Sequence, residues 1–130
     1  MSLEQRNVLL VENDRTVAEI TKFRLELLGY RVHFVDTADA VFAAVDNDRP
    51  DAIVMELQIA GMDGFELATR LRNDERTSGI PIVAFSSNAD LGHVQRAFAA
   101  GATEYVVKPY DPAVLERKLE KLLSVKLPAN

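Results

Sequence analysis

The chain has 130 residues, which suits one domain around one hydrophobic core. Hydrophobic residues make up 48% and charged residues 27%, the balance of a soluble globular protein rather than a disordered one. A net charge of −5 argues against direct nucleic-acid binding, which favours a basic surface, and the lack of cysteine removes disulfides and thiol chemistry. No apolar run approaches a membrane span, and no signal-peptide core follows Met1. The simplest expectation is a cytoplasmic domain over 5–125, with tails at 1–4 and 126–130.

Apolar runs and helical patterns alternate along the chain. Asn7–Val11 is nearly continuous apolar sequence, as in a strand buried on both faces. Asp14 supplies an N-cap, and Val17, Ile20, Phe23 and Leu27 recur at helical steps, which predicts the buried stripe of a first helix closed by Gly29. Arg31–Asp36 reads as a second strand, Thr37–Asp46 as a short Ala-rich helix, and Asp51–Met55 as a third strand. Asp63 and Glu66 have the spacing of a capping box, opening a third helix through Phe65, Ala68 and Leu71. Pro81–Phe85 is the fourth strand. Leu91, Val94 and Phe98 mark the fourth helix, Glu104–Val107 the fifth strand, and Asp111-Pro112 the start of a last helix with Leu115, Leu119 and Leu122 inward.

Five strand–helix repeats imply a parallel sheet with helices on both faces. Ligand sites in such sheets lie beyond the carboxyl ends of the strands, at the switch in strand order. That rule directs attention to Glu12-Asn13-Asp14, Glu56, Ser86-Ser87 and Lys108-Pro109. Two carboxylates, a hydroxyl and an ammonium gathered there can handle a phosphoryl group. Carboxylates on adjacent strands share a hard divalent cation such as Mg²⁺, while the lysine and hydroxyl hold phosphoryl oxygens.

The stretches VLLVEND, DAIVMELQIAGMDGFEL, PIVAFSS and GATEYVVKPYD resemble, in order and spacing, the signature segments of bacterial response-regulator receiver domains. The resemblance runs from about Asn7 to Leu123. It implies a flavodoxin-like, doubly wound five-stranded parallel sheet in order 2-1-3-4-5 with five helices. It also implies a signalling switch rather than an enzyme, and a cis peptide at Lys108–Pro109. Carried over by residue, Glu12 matches the first acidic metal-site position, Ser86 the switch hydroxyl, Tyr105 the aromatic switch and Lys108 the conserved-type lysine. Two positions depart from the pattern. Asn13 stands where a second, metal-ligating acid is usual, and Glu56 stands where the phosphoacceptor aspartate is usual.

Each departure has a chemical consequence. An aspartyl phosphate forms by in-line attack of a carboxylate while Mg²⁺ neutralises the phosphoryl oxygens. The extra methylene of Glu56 carries its carboxylate roughly 1.5 Å, one C–C bond, further out. Misplacement of that size costs a positioned reaction about 10²-fold. Asn13 is neutral, and cation affinity follows the number of charged oxygen ligands. The sequence therefore reads as a pseudo-receiver that works by protein–protein contact without phosphorylation, with no cofactor and at most weakened Mg²⁺ binding. The alternative is a switch still phosphorylated with Mg²⁺. Within the pocket, Glu56 either reaches Lys108 or Ser86 as a mimic of activation or points to solvent. The solvent-facing, inert pocket is the favoured expectation, and with it an exposed or two-position Tyr105.

Family resemblance assigns the partner surface to the fourth helix, fifth strand and fifth helix, including His93, Gln95, Arg96 and Glu104. The partner there is a histidine kinase or another receiver, with a weak homodimer as a further possibility. Other polar residues have plainer readings. Asp14 and Asp63 are helix caps, His33 and His93 are surface residues, and the run Arg70, Arg72, Asp74, Glu75, Arg76 is a solvated helix end. Two rivals fit less well. An FMN carrier needs a phosphate loop after the first strand, where this chain has Glu-Asn-Asp-Arg. An aspartyl-nucleophile phosphatase needs Asp where this chain has Glu12.

Overall fold

The computed structural model describes residues 5–109 and 111–124. The elements follow in the order β1 (Asn7–Val11), α1 (Arg15–Leu27), β2 (Arg31–Val35), α2 (Ala38–Asn47), β3 (Ala52–Glu56), β4 (Gln58–Ile59), β5 (Met62–Asp63), α3 (Gly64–Asn73), β6 (Ile82–Ser86), α4 (Leu91–Ala100), β7 (Glu104–Val107) and α5 (Pro112–Ser124). Five strands form one parallel sheet in the order β2-β1-β3-β6-β7. This is the expected 2-1-3-4-5 arrangement, with a two-residue antiparallel hairpin, β4–β5, added in the loop after β3. The expected tail boundaries lie outside the described residues.

The two faces of the sheet carry separate cores. Leu9, Val11, Ile53, Met55, Ile82 and Ala84 pack against Val41, Leu67, Leu71 and Ala97 of α2, α3 and α4. Their chain neighbours Val8, Leu10, Val54, Val83 and Phe85, together with Val106, pack against Ala18, Leu25, Leu115 and Leu119 of α1 and α5. Successive side chains of a strand point to opposite faces, so a strand covered on both sides must be apolar throughout. β3 and β6 are buried at every position, including their polar last residues Glu56 and Ser86.

The helix stripes differ from the expected phase. Ala18, Thr21 and Leu25 of α1 face the sheet, whereas Ile20, Phe23 and Leu27 are 55%, 62% and 70% exposed. The inner face thus combines two small residues with Leu25, and the stripe of Ile20, Phe23 and Leu27 is left in solvent. α4 behaves in the same way. Its buried residue is Ala97, while Leu91 and Phe98 face outward. The caps hold better. Asp14 accepts from Val17 N at 3.2 Å, Thr37 from Ala40 N at 3.2 Å, and Gly29 takes φ +99° after α1. Asp63 caps α3 through Phe65 N at 2.8 Å, but Glu66 pairs with Arg70 at 2.8 Å instead of completing a capping box.

The charge run at the end of α3 also does more than solvate. Arg72 donates to the carbonyls of Ser78, Ile80 (2.9 Å) and Gly101 (2.6 Å), tying α3 to the start of β6 and the end of α4. Arg76 bridges Asp46 and Asp74 at 2.6 and 2.8 Å.

Gly64 fixes the loop that follows Glu56. Its N–H donates to the Leu57 carbonyl at 3.1 Å, and a Cβ there would collide with that oxygen and lie 2.6 Å from the Leu57 Cα. Backbone on both sides leaves no flexible atom to yield. Gly64→Ala should therefore lower unfolding free energy by about 1–3 kcal/mol, the usual range for overpacking. Urea denaturation measures this, and a change under about 0.5 kcal/mol would mean that the loop can move aside.

Candidate functional site

The site lies at the carboxyl ends of neighbouring strands. Glu12 follows β1, Glu56 ends β3, Ser86 ends β6 and Lys108 follows β7. Backbone bonds continue the sheet at these ends: Glu12 N to Val35 O at 3.1 Å, Leu57 N to Phe85 O at 2.9 Å, and Lys108 N to Ser86 O at 2.8 Å. The Lys108–Pro109 peptide is cis.

Lys108 is the centre of the site. Its Nζ donates to Glu12 Oε1 at 2.6 Å and to Glu56 Oε1 at 2.7 Å, and it lies 5.7 Å from the centre of the Phe85 ring. The remaining carboxylate oxygens are also engaged. Glu12 Oε2 accepts from Asn13 N at 3.0 Å and Asp14 N at 3.1 Å, and Glu56 Oε2 accepts from Gln58 N at 2.9 Å. The side chains of Glu12, Glu56 and Lys108 are 0%, 7% and 16% exposed. Glu56 thus turns inward, contrary to the expectation that it points to solvent. The Glu56 carboxylate spans from the end of β3 to the lysine beyond β7.

Asn13 is exposed and gives the site its backbone N–H. Among the described residues, no group of three or more His, Asp or Glu side chains is arranged to hold a metal ion. Ser86 Oγ accepts from Asn88 N at 3.1 Å and makes no hydrogen bond to Glu56. Tyr105 is half-buried, and its hydroxyl donates to the Asn88 carbonyl at 2.6 Å. The tyrosine thus lies between the expected exposed state and full burial, with its hydroxyl on the Asn88 carbonyl. His93 also departs from its surface reading. It is half-buried, and its Nδ1 lies 2.9 Å from the Tyr105 hydroxyl. The sequence held one usable signal for this: His93, Ala97 and Ala100 share a helical face, and Ala97 is the buried residue of α4.

Burial pushes the Lys108 ammonium toward deprotonation, but its hydrogen bonds and charge contacts with Glu12 and Glu56 outweigh burial and hold its pKa above the ordinary value. A raised lysine pKa stabilises the fold below the ordinary lysine range, and that contribution is lost as pH rises through the folded-state value. Lys108→Met would leave two buried carboxylates without their cation and should cost about 3–5 kcal/mol near neutral pH. The gap between wild type and Lys108→Met should narrow in strongly alkaline solution, where the lysine deprotonates. Chemical denaturation across pH checks this, and equal stability of the two proteins at neutral pH would show that the network contributes nothing.

The response regulator receiver domain model matches residues 8–120, most of the chain. This chain belongs to the response regulator receiver domain family. Among its relatives, it is 34% identical over 120 residues to the transcriptional regulatory protein CseB of Streptomyces avermitilis, covering 92% of this chain and 50% of that protein. It is 28% identical over 118 residues to the phosphate regulon transcriptional regulatory protein PhoB of Pseudomonas aeruginosa, covering 91% of this chain and 52% of that protein. The chain thus spans about half the length of these curated relatives. Among solved structures, the chemotaxis response regulator CheY4 of Vibrio cholerae superposes with a TM-score of 0.87 at 25% identity, covering 92% of this chain and all of that one. The receiver domain of the sensor histidine kinase PA1611 of Pseudomonas aeruginosa, solved with a magnesium ion in its active-site cleft, gives 0.85 at 29% identity over 93% of this chain and 99% of that one. The receiver domain described here has no helix long and apolar enough to cross a membrane among its described residues.

Proposed function

We propose that this receiver domain is a pseudo-receiver, which takes part in two-component signalling through protein–protein contact without being phosphorylated. The observation that carries the reading is the contact of Glu56 Oε1 with Lys108 Nζ at 2.7 Å, inside a site where every carboxylate oxygen already accepts a hydrogen bond. A nucleophile needs an available lone pair aimed in line at phosphorus. Each Glu56 oxygen is held by a hydrogen bond, from Lys108 and from Gln58, and the extra methylene displaces both from where a shorter acid would stand.

The residues present do not fit a resident Mg²⁺. Two carboxylates face the site, both already shared with an ammonium, and the neighbouring position is the neutral Asn13. Hard-cation sites require several oxygen ligands and gain affinity with charged ones. Metal binding here is accordingly weak or absent, and no cofactor is needed for the proposed role. Glu56 reproduces only part of what a bound phosphoryl group would do, because it satisfies Lys108 and leaves Ser86 to Asn88.

The partner is a protein, met through α4, β7 and α5. Leu91, Phe98 and Val107 are exposed large apolar residues on these elements, and the Lys118–Glu104 pair at 2.8 Å joins α5 to β7. A histidine kinase or a second receiver, in the cytoplasm, suits a module of this family.

Incubation with acetyl phosphate and Mg²⁺, read by intact mass, should leave the protein without a phosphoryl adduct. Glu56→Asp should restore little labelling, and Glu56→Asp with Asn13→Asp should restore more. A full phosphoryl mass gain on wild type would overturn the pseudo-receiver reading.

A further inference from the structure

The half-buried His93 has no part in the carboxylate–lysine network, yet it lies between two loops that leave the site. One loop follows β6. There Ser86 Oγ accepts from Asn88 N at 3.1 Å, and Tyr105 donates to Asn88 O at 2.6 Å. The other follows β3 and ends at α3, where the Phe65 ring meets the His93 ring edge to face, 4.9 Å between centres at 71°. Arg96 lies 4.1 Å over the other part of this stack, on Phe65, and 3.8 Å from Asp63. His93 is thus packed by the segment downstream of Glu56 and bonded to the tyrosine downstream of Ser86.

Proton counting assigns the direction of the His93–Tyr105 bond. A phenol has one proton and can also accept, whereas a carbonyl oxygen only accepts. The Tyr105 proton must therefore go to Asn88 O, and the 2.9 Å contact with His93 must use a proton on His93 Nδ1. The neutral ring is consequently held in its Nδ1–H form, since the bond made by one ring nitrogen selects the tautomer.

We propose that His93 is a positioning residue for Tyr105: its Nδ1–H bond holds the tyrosine hydroxyl turned onto the Asn88 carbonyl with no phosphoryl group at position 56. This deepens the pseudo-receiver reading and rests on it, because it supplies from α4 the bias that a phosphorylated site would otherwise have to supply. An aromatic side chain with two available positions moves only when something contacts one of them preferentially. His93 contacts the tyrosine in the position that meets Asn88.

The test uses the full chain with ¹⁵N-histidine labelling and NMR of the Tyr105 χ1 state. At alkaline pH, where imidazoles carry a single proton, His93 should show a protonated Nδ1. Tyr105→Phe should abolish that preference. His93→Phe keeps an aromatic ring against Phe65 but removes the donor, and it should split Tyr105 between two χ1 states; His93→Gln, which restores an N–H donor, should return the single state. Amide spectra report whether each variant is folded, and the wild-type tautomer stands as evidence even if a variant is not. An unprotonated Nδ1 in wild type, or a Tyr105 that stays in one state in folded His93→Phe, overturns the proposal. A phosphoryl adduct on wild type would sink the pseudo-receiver reading separately, without altering the His93 tautomer measured on the unmodified protein.

Discussion

A lysine ammonium held between two buried carboxylates organises this protein. Lys108 comes from the end of β7, Glu12 from the end of β1 and Glu56 from the end of β3, so one cation joins three strand ends across the sheet. Removing these charges from water is costly, and their mutual attraction offsets that cost only when the remaining hydrogen bonds are made as well. They are made. The backbone N–H groups of Asn13, Asp14 and Gln58 occupy the carboxylate oxygens that Lys108 leaves. The loops after β1 and β3 are therefore held by the same side chains that form the site, and Gly64 allows the second of them to close tightly on Leu57.

This satisfaction changes what the site can do. A receiver in which a short acid faces a metal is incomplete until metal and phosphoryl group arrive. Here the charges already balance to within one unit, two carboxylates against one ammonium, with no oxygen left unbonded. The consequences reach the loops unequally. The β3 side is fixed through Glu56 and Gln58, while the Ser86 hydroxyl on the β6 side accepts from its own loop at Asn88. Asn88 in turn meets Tyr105, and Tyr105 meets His93 of α4. On the proposed pseudo-receiver reading, such a pocket would shape an interaction face as a fixed module rather than a responsive one.

The surface has its own asymmetry. Ile20, Phe23, Leu27 and Leu28 gather exposed apolar area on and just after α1, whereas α4 exposes Leu91 and Phe98 near the β7–α5 side. Clustered exposed apolar residues commonly mark contact surfaces. In both helices the buried face includes small residues, Ala18 and Thr21 beside Leu25 in α1 and Ala97 in α4, and several bulky apolar residues lie outside it.

The sequence by itself determined the strand–helix alternation, the parallel sheet and the strand ends where the site lies, because period and caps are local properties of the chain. It also pointed to Glu12, Glu56, Ser86 and Lys108, whose places at strand ends follow from the alternation, while the resemblance to receiver domains added Tyr105. It could not fix which face of α1 or α4 is buried. Periodicity reveals a stripe but not the neighbour it packs against, and a stripe of large residues outweighed the small residues that make close contact. Nor could it decide the direction of Glu56. That depended on the distance from the end of β3 to Lys108 beyond β7, set by β6 lying between them. The roles of Arg72, which ties three carbonyls, and of His93, which meets Tyr105 from twelve positions away, were likewise decided only by tertiary structure. Contacts between elements depend on how those elements pack, and no local pattern in the chain records it.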